Sequence, residues 1–324
     1  MERDKTQCTF LVMTPEFDDF GEMILTVPDY AAKYMKKTIF LILIFHIPLL
    51  AGCWKIPEKH QTMGNYKETA VVNADNLCRG LSGNGEQKIL PGGIDTLDSQ
   101  QFSLMNWNSY KGKGKEWQDD LDRLIRGGDI VTLQEGYLTD QLQEELQQYD
   151  FYWDIAAAFL LKKIPSGVLT ASRVKPDYLC SFRVKERLTG IPKTVLITRY
   201  PLADTNDTLL LANVHMVNLS FDISSYRQQL EKTAVVLAQH PGPMIISGDF
   251  NSWSEERGAL LKSFADKLHL RAVHFHDDNR SLFFGRPVDY VFYRGLVPQS
   301  TVTNEVTTSD HNPMLVTFSL ADEK

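Results

Sequence analysis

The sequence predicts an α/β chain in which largely antiparallel sheets pack together with helices outside them. Three observations carry this. From Gln101 onward, short apolar runs of strand length alternate with segments of helical spacing. The late strands are separated by short turns, which argues against a purely parallel sheet. The composition, 43% hydrophobic and 23% charged over 324 residues, supplies enough apolar surface for a large core. The span from about residue 96 to the C-terminus at 324 fits one large domain, and no solenoid or propeller repeat is present.

The elements follow in order. Gln101 to Asn108 (QFSLMNWN) is a strand. Trp117, Leu121, Leu124 and Ile125 fall at helical spacing, and Gly127-Gly128 ends that helix. Ile130 to Gln134 is a short buried strand, and Thr139 to Gln148 a helix with Leu142 and Leu146 inward. Strands are expected near 167–172, 193–200 and 209–216, then a helix from Ser224 to Gln239 and a strand from Met244 to Ser247. Ser252 and Glu255 read as a capping box for a helix through Leu268. The last strands are 289–293, 302–307 and 314–319.

The N-terminal part reads as an address. In MKKTIFLILIFHIPLLAGC, residues 35–53, two lysines precede an apolar run too short for a spanning helix, which needs ~20 residues. Leu50-Ala51-Gly52-Cys53 resembles the lipobox of bacterial lipoprotein signals, which implies acylation of Cys53. The chain is then expected in the cell envelope, as a membrane-anchored lipoprotein or in the periplasm, with a cytoplasmic protein as the alternative. Residues 1–34 read as a misassigned upstream extension, with Met35 the initiator, and 54–95 as a polar tether and lead-in. With Cys53 acylated, Cys78 and Cys180 remain as an even pair, either a disulfide or two unrelated thiols.

Polar residues collect where strands end. Asn108 closes LMNWN, Glu135 follows IVTLQ, His215 closes LLLANVH, and Asp249 and Asn251 follow MIISG. Asp289 stands in GRPVDY, and Asp310 and His311 in TTSDHNP. Each alone is weak, since a carboxylate at a strand end is often a surface residue and Gly, Asp and Asn favour turns. Together they form a chemical set. Glu135 offers a hard oxygen to a divalent cation, with Asn108 as a neutral helper. Asp249 suits a base for an attacking water that Asn251 aligns. His311, held by Asp289, suits a phosphoryl contact or a leaving-group acid, and His215 a second phosphate contact. No P-loop, GxGxxG motif or nucleophile elbow is present.

In this order, WN (Trp107-Asn108), LQE (Leu133 to Glu135), NVH (Asn213 to His215), GDFN (Gly248 to Asn251), VDY (Val288 to Tyr290) and SDHNP (Ser309 to Pro313) resemble the endonuclease/exonuclease/phosphatase superfamily. Stretches such as GDFNSWS and FGRPVDYVFYRGL are closer still to the bacterial YafD-like proteins. The resemblance implies a DNase I-like four-layer α/β-sandwich, two mixed, mostly antiparallel sheets flanked by helices. It implies a phosphoester hydrolase of phosphodiesterase or nuclease type that uses Mg²⁺ or Mn²⁺. Glu135 would be the principal metal ligand, assisted by Asn108 and Asp310. Asp249 and Asn251 would handle the water, Asp289 would pair with His311, and His215 would match the family's first histidine.

The substrate stays open at this point. A phosphodiester of nucleic acid would call on Arg173, Lys175, Arg183, Lys185, Arg187 and Lys193, although the net charge of −7 disfavours broad polyanion binding. A phospholipid or small phosphodiester at a membrane fits an acylated chain, with Phe283 and Phe284 as either an apolar rim or core. A monomer is expected. The reading from another class is a non-catalytic scaffold that retains the fold.

Overall fold

The computed structural model describes residues 54–66, 78, 96–219 and 223–321. The expected upstream extension, the signal segment with Cys53, and most of the tether lie outside the described residues. The chain divides into two units, Met1–Lys55, which ends in the short strand Trp54–Lys55, and Ile56–Lys324, to which the rest of the architecture below belongs.

The strands are Trp54–Lys55 (β1), Gln61–Gly64 (β2), Phe102–Asn108 (β3), Ile130–Tyr137 (β4), Tyr152–Leu161 (β5), Ile164–Ser172 (β6), Tyr178–Lys185 (β7) and Pro192–Pro201 (β8). They continue as Thr208–His215 (β9), Met244–Asp249 (β10), Arg271–Ala272 (β11), Leu282–Phe283 (β12), Arg286–Pro287 (β13), Asp289–Arg294 (β14), Leu296–Thr303 (β15) and Met314–Leu320 (β16). The helices are Trp117–Ile125 (α1), Asp140–Gln148 (α2), Ser224–Leu237 (α3) and Glu255–Lys267 (α4).

One sheet runs β5-β6-β4-β3-β16-β15, with β2 also on β5, and the other runs β11-β14-β10-β9-β8-β7. Each is antiparallel except for one parallel pair, β3 with β4 and β9 with β10. Period-two alternation sorts the side chains into layers. Phe102, Leu104, Ile130, Leu209, Leu211, Ile245, Met314, Val316 and Phe318 fill the space between the sheets. Their chain neighbours face outward. Met105, Trp107, Val131 and Leu133 pack under α1 and α2, through Leu121, Leu124, Leu142 and Leu146. Leu210, Ala212, Val214, Met244 and Ile246 pack under α3 and α4, through Tyr226, Leu230, Leu261 and Phe264. The result is helix, sheet, sheet, helix, as the sequence predicts. Full burial of each such apolar side chain contributes about 1.5–3 kcal/mol.

The inward positions change character along the strands. On β3, Leu104 gives way to Asn106 and Asn108, and on β4, Ile130 gives way to Thr132 and Gln134. On β9, Leu211 gives way to Asn213 and His215, and on β10, Ile245 gives way to Ser247 and Asp249. All eight polar residues are buried. They bond within and across the sheets: Thr132 Oγ1 donates to Asn106 Oδ1 at 2.9 Å in its own sheet and lies 3.1 Å from Ser247 Oγ of the other, while Gln134 Nε2 donates across the gap to Asn213 Oδ1 at 2.8 Å. Buried polar groups that bond one another cost little, so the sandwich has a dry apolar end and a polar end.

Several expected elements shift. The capping residue of α4 is Ser254, whose Oγ accepts Arg257 N, while Ser252 Oγ donates to Pro287 O. The strand expected at 302–307 is Leu296–Thr303, because it pairs with β16 over Thr303 to Leu296 and the chain then turns into the loop before His311. Strands β5 and β7 and the β12–β13 hairpin have no counterpart in the expected set. Part of the tether is structured: β2 pairs with β5, and Arg183 donates to Pro57 O and Glu58 O.

Cys78 and Cys180 form a disulfide with Cα atoms 5.5 Å apart, closing a sequence separation of 102 residues. A cross-link over a loop of that length restricts the unfolded chain. Cys180→Ser, or reduction of the native protein, is expected to lower stability by about 2–5 kcal/mol in urea unfolding curves, and addition of reductant to the variant should cost nothing further.

Candidate active site

The polar ends of the four central strands meet at Asp249. Register puts it directly between His215 on β9 and Asp289 on β14. Gly248 precedes it at φ 146°, and a Cβ there would lie 1.9 Å from Val214 O, so only glycine lets β10 approach β9 this closely before the carboxylate. Asp249 is 2% exposed. Its Oδ1 accepts the backbone N–H of Asn251 at 2.9 Å, the local bond that favours Asp in such turns. Its Oδ2 accepts Asn108 Nδ2 at 3.1 Å, from the facing sheet, and Asn251 Nδ2 at 3.2 Å. Asn251, at φ 47°, also donates to Met216 O.

Two imidazoles face this carboxylate. His215 Nε2 lies 3.4 Å and His311 Nε2 4.0 Å from Asp249 Oδ2. His311 Nδ1 is 2.7 Å from Asp289 Oδ2. The loop that carries His311 is sewn to the end of β3: Trp107 Nε1 donates to His311 O, and Ser309 Oγ donates to Asn108 O. Burial alone would lower the His311 pKa, but Asp289, then Asp249 and Asp310, reverse this and raise it to about 10. Burial pushes the Asp249 carboxyl up, and Asp289 pushes the same way against His311 and Lys193. His215 differs. Burial and then Lys193 drive its pKa well below the usual imidazole value. Lys193 Nζ donates to its Nε2 at 2.8 Å, which leaves a neutral ring with its proton on Nδ1.

Glu135 reaches the same cluster by a bulge. The β4–β6 register shifts between Leu133 and Gly136, and Glu135 sits at φ 53°. Regular alternation would point it toward the helices with Leu133, and the extra residue re-aims it. Its carboxylate pairs with Lys111. Burial would raise its pKa, but Lys111, Lys193 and His215 outweigh this and lower it to about 2. The bulge is held from the other sheet: Asn213 Nδ2 donates to Leu133 O at 3.2 Å and Leu169 O at 2.8 Å.

The structure therefore brings together Asn108, Glu135, His215, Asp249, Asn251, Asp289 and His311. Asp310 is exposed on its loop, where Ser309 Oγ contacts it at 3.5 Å, and its charge acts on the buried His311 ring. Among the described residues no group of three or more His, Cys, Asp and Glu is gathered as a metal cage. The basic set does not form one face. Arg173 is tied to Gly128 O and Tyr149 O beyond the end of β6 that pairs with Ile130, the far end of the sandwich, and Arg183 holds the lead-in segment. Lys193 of that set touches the buried cluster, through His215. Phe283 and Phe284 are exposed rather than core.

Sequence reasoning missed Lys111, Asn213 and Gln134. The run Lys111-Gly112-Lys113-Gly114-Lys115, directly after the Trp-Asn motif, was an available signal for Lys111. Gly114 packs so tightly on the His311 loop that a Cβ would lie 2.1 Å from Thr308 O.

Two outcomes follow. In an NMR pH titration the His311 ring should stay protonated through neutrality and titrate near pH 10; with Asp289→Asn the midpoint should fall, since burial is then opposed by Asp249 and Asp310 alone. Because the folded pKa is raised, the stabilisation from His311 is full below ~6.5 and is lost as pH rises through about 10. Asn213→Ala should strand buried carbonyls at a cost of about 1–3 kcal/mol, read by urea unfolding. It should also lower hydrolysis more than Thr132→Val, which touches the same polar column away from the bulge.

Comparisons with known proteins agree with this geometry. A UPF0294 protein from Klebsiella pneumoniae is 37% identical over 235 residues, 72% of this chain and 88% of that protein. The human Nocturnin catalytic domain, solved with a bound sulfate anion, superimposes with a TM-score of 0.55 at 17% identity, over 69% of this chain and 97% of that one. A mannosyl-6-phosphatase from Bacteroides thetaiotaomicron gives a TM-score of 0.55 at 16% identity, over 68% of this chain and 100% of that one. The sequence pattern of the Endonuclease/Exonuclease/phosphatase family matches residues 105–311, from the middle of β3 to the imidazole beside Asp249. With its layers, its site and this match in accord, the chain belongs to the Endonuclease/Exonuclease/phosphatase family, whose members are hydrolases acting on phosphoesters.

Proposed function

We propose that this protein is a divalent-metal-dependent phosphodiesterase in which water attacks phosphorus in line. The observation that carries this is the buried Asp249 carboxylate set 4.0 Å from an imidazolium that Asp289 holds charged. Asp249 takes the proton of the attacking water; the new P–O bond forms as the ester P–O bond breaks opposite it, and the departing oxygen takes its proton from solvent water. An in-line base and leaving-group acid need roughly 10 Å between them, two hydrogen bonds plus the span of the apical oxygens. At 4.0 Å, His311 is on the same side as Asp249, so its Nε2–H stabilises a phosphoryl oxygen rather than protonating the leaving group. Asn108 and Asn251 fix the carboxylate, and Lys111 and Lys193 add positive charge for the phosphate.

The donor set fits Mg²⁺ or Mn²⁺. One strained, ionised carboxylate with a neighbouring carboxamide is too few ligands for a closed cage, and Mg²⁺ prefers to keep several waters and substrate oxygens. Glu135 would hold the ion with Asn108 beside it, and Lys111 would yield the carboxylate. A bound ion supplies Lewis-acid polarisation of the phosphoryl group. We further propose that acylation of Cys53 places the protein in the cell envelope, as an anchored monomer. The Cys78–Cys180 disulfide supports that compartment, since such bonds persist where the surroundings are oxidising.

Hydrolysis of bis-p-nitrophenyl phosphate is expected with Mg²⁺ or Mn²⁺ and not with chelator. Asp249→Asn and His311→Ala should each lower kcat by roughly 10²–10⁴-fold, and Glu135→Gln should abolish the metal response. A folded protein inactive on this diester, on nucleic acids and on phospholipids would favour the scaffold.

A further inference from the structure

Among the described residues, the exposed large apolar side chains are unevenly placed. Tyr110, Leu188, Leu282, Phe283 and Phe284 surround the cleft mouth, while Val235, Val297 and Val302 lie on α3 and the edge strand β15. Leu188 is 50%, Leu282 60% and Phe284 62% exposed. Leu188 tips the loop between β7 and β8, two strands whose cleft end carries Lys193. The other three apolar residues form the β12–β13 hairpin, where Phe283 stacks on the His311 ring at 6.3 Å.

Both tips belong to one connected rim. The Glu186 carboxylate accepts Asn218 N and Leu219 N at 2.7 Å, Asn218 Oδ1 accepts Trp253 Nε1 at 2.9 Å, and the Trp253 ring meets Phe284 at 5.9 Å. Exposed cations alternate with the apolar tips: Lys113, Lys115, Lys185, Arg187 and Arg286. Apolar side chains flanked by Lys and Arg suit the headgroup layer of an anionic bilayer, where the rings and aliphatic groups bury and the charges meet phosphate. A polyanion in solution would favour the charges but not the exposed apolar surface of Leu282 and Phe284.

The point where the chain joins the domain selects the same end. Arg183 Nη1 donates to Pro57 O at 2.7 Å, and Arg183 lies opposite Thr194 on β8, next to the Lys193 that bonds His215. Pro57 follows Cys53 by four residues. An extended chain gains at most ~3.3–3.6 Å per residue, so an acylated Cys53 keeps Pro57 within about 14 Å of the lipid surface.

We propose that the cleft end of this domain rests on an anionic phospholipid surface, with Leu188 and the Leu282-Phe283-Phe284 tip seated among the headgroups. The substrate is then a phospholipid headgroup diester taken from that surface. The substrate half rests on the phosphodiesterase reading above; the orientation half does not.

The test uses the full chain reconstituted in vesicles of phosphatidylethanolamine and phosphatidylglycerol. F284W should add emission that brominated acyl chains quench by roughly twofold or more, whereas emission added by K267W, at the far end of α4, should be unaffected. L282S/F284S should slow headgroup release from the vesicles by roughly tenfold while leaving bis-p-nitrophenyl phosphate hydrolysis unchanged. Equal quenching at both positions, or none with F284W, overturns the orientation. Slower hydrolysis of single-stranded DNA by L282S/F284S, with vesicle hydrolysis intact, overturns the lipid substrate in favour of nucleic acid. If the wild type cleaves no diester, the phosphodiesterase reading fails and the quenching still decides the orientation.

Discussion

A charged carboxylate buried between two sheets must be compensated, and the Asp249 side chain shapes the site through that requirement. It takes hydrogen bonds from Asn108, from the Asn251 side chain and from the Asn251 backbone, and it faces the His311 imidazolium. A single cation would satisfy it too well and make it a poor base. Asp289 counters this by claiming His311 at 2.7 Å, and its own charge opposes ionisation of Asp249. The two carboxylates share one imidazolium, and their positions are fixed by direct register between β10 and β14. The chemistry of the pair is thus a property of strand pairing, which is stiffer than any loop.

The second constraint is the polar column beneath. Burying Asn106, Thr132, Gln134, Asn213 and Ser247 between sheets would be costly if any stood alone. Thr132 with Ser247 and Gln134 with Asn213 bond across the gap and so fix how the two sheets face each other at the cleft end. The apolar half supplies the driving force, and the polar half supplies alignment. Asn213 joins the two roles, because it lies on the second sheet and holds the backbone of the first where the bulge turns Glu135 into the cleft.

Charge balance also sets the states of the remaining groups in the cleft. Glu135 is held ionised by Lys111 and Lys193, and the same Lys193 keeps His215 neutral. The lysines therefore keep one carboxylate ionised and one imidazole neutral in the same cluster at neutral pH. The overall charge of −7 belongs to the rest of the surface and says little about this pocket.

The sequence by itself determined the layers and most of the site. Apolar runs such as LLLANVH and PMIISGD read as strands buried on both faces, and the polar residue at each strand end marks where the chemistry collects. Those signals are local and survive without neighbours. What only the tertiary structure decided are relations between distant segments. The bulge that aims Glu135 depends on a partner strand and on Asn213; Lys111 matters because a turn returns it to Glu135; Asp310 is exposed although its neighbour His311 is buried. Phe283 and Phe284 look like core in one dimension, and only the hairpin's position beyond the sheet edge leaves them exposed. The physical reason is the same each time: a side chain's periodicity fixes its direction relative to its own backbone, but its surroundings come from chain brought there by packing.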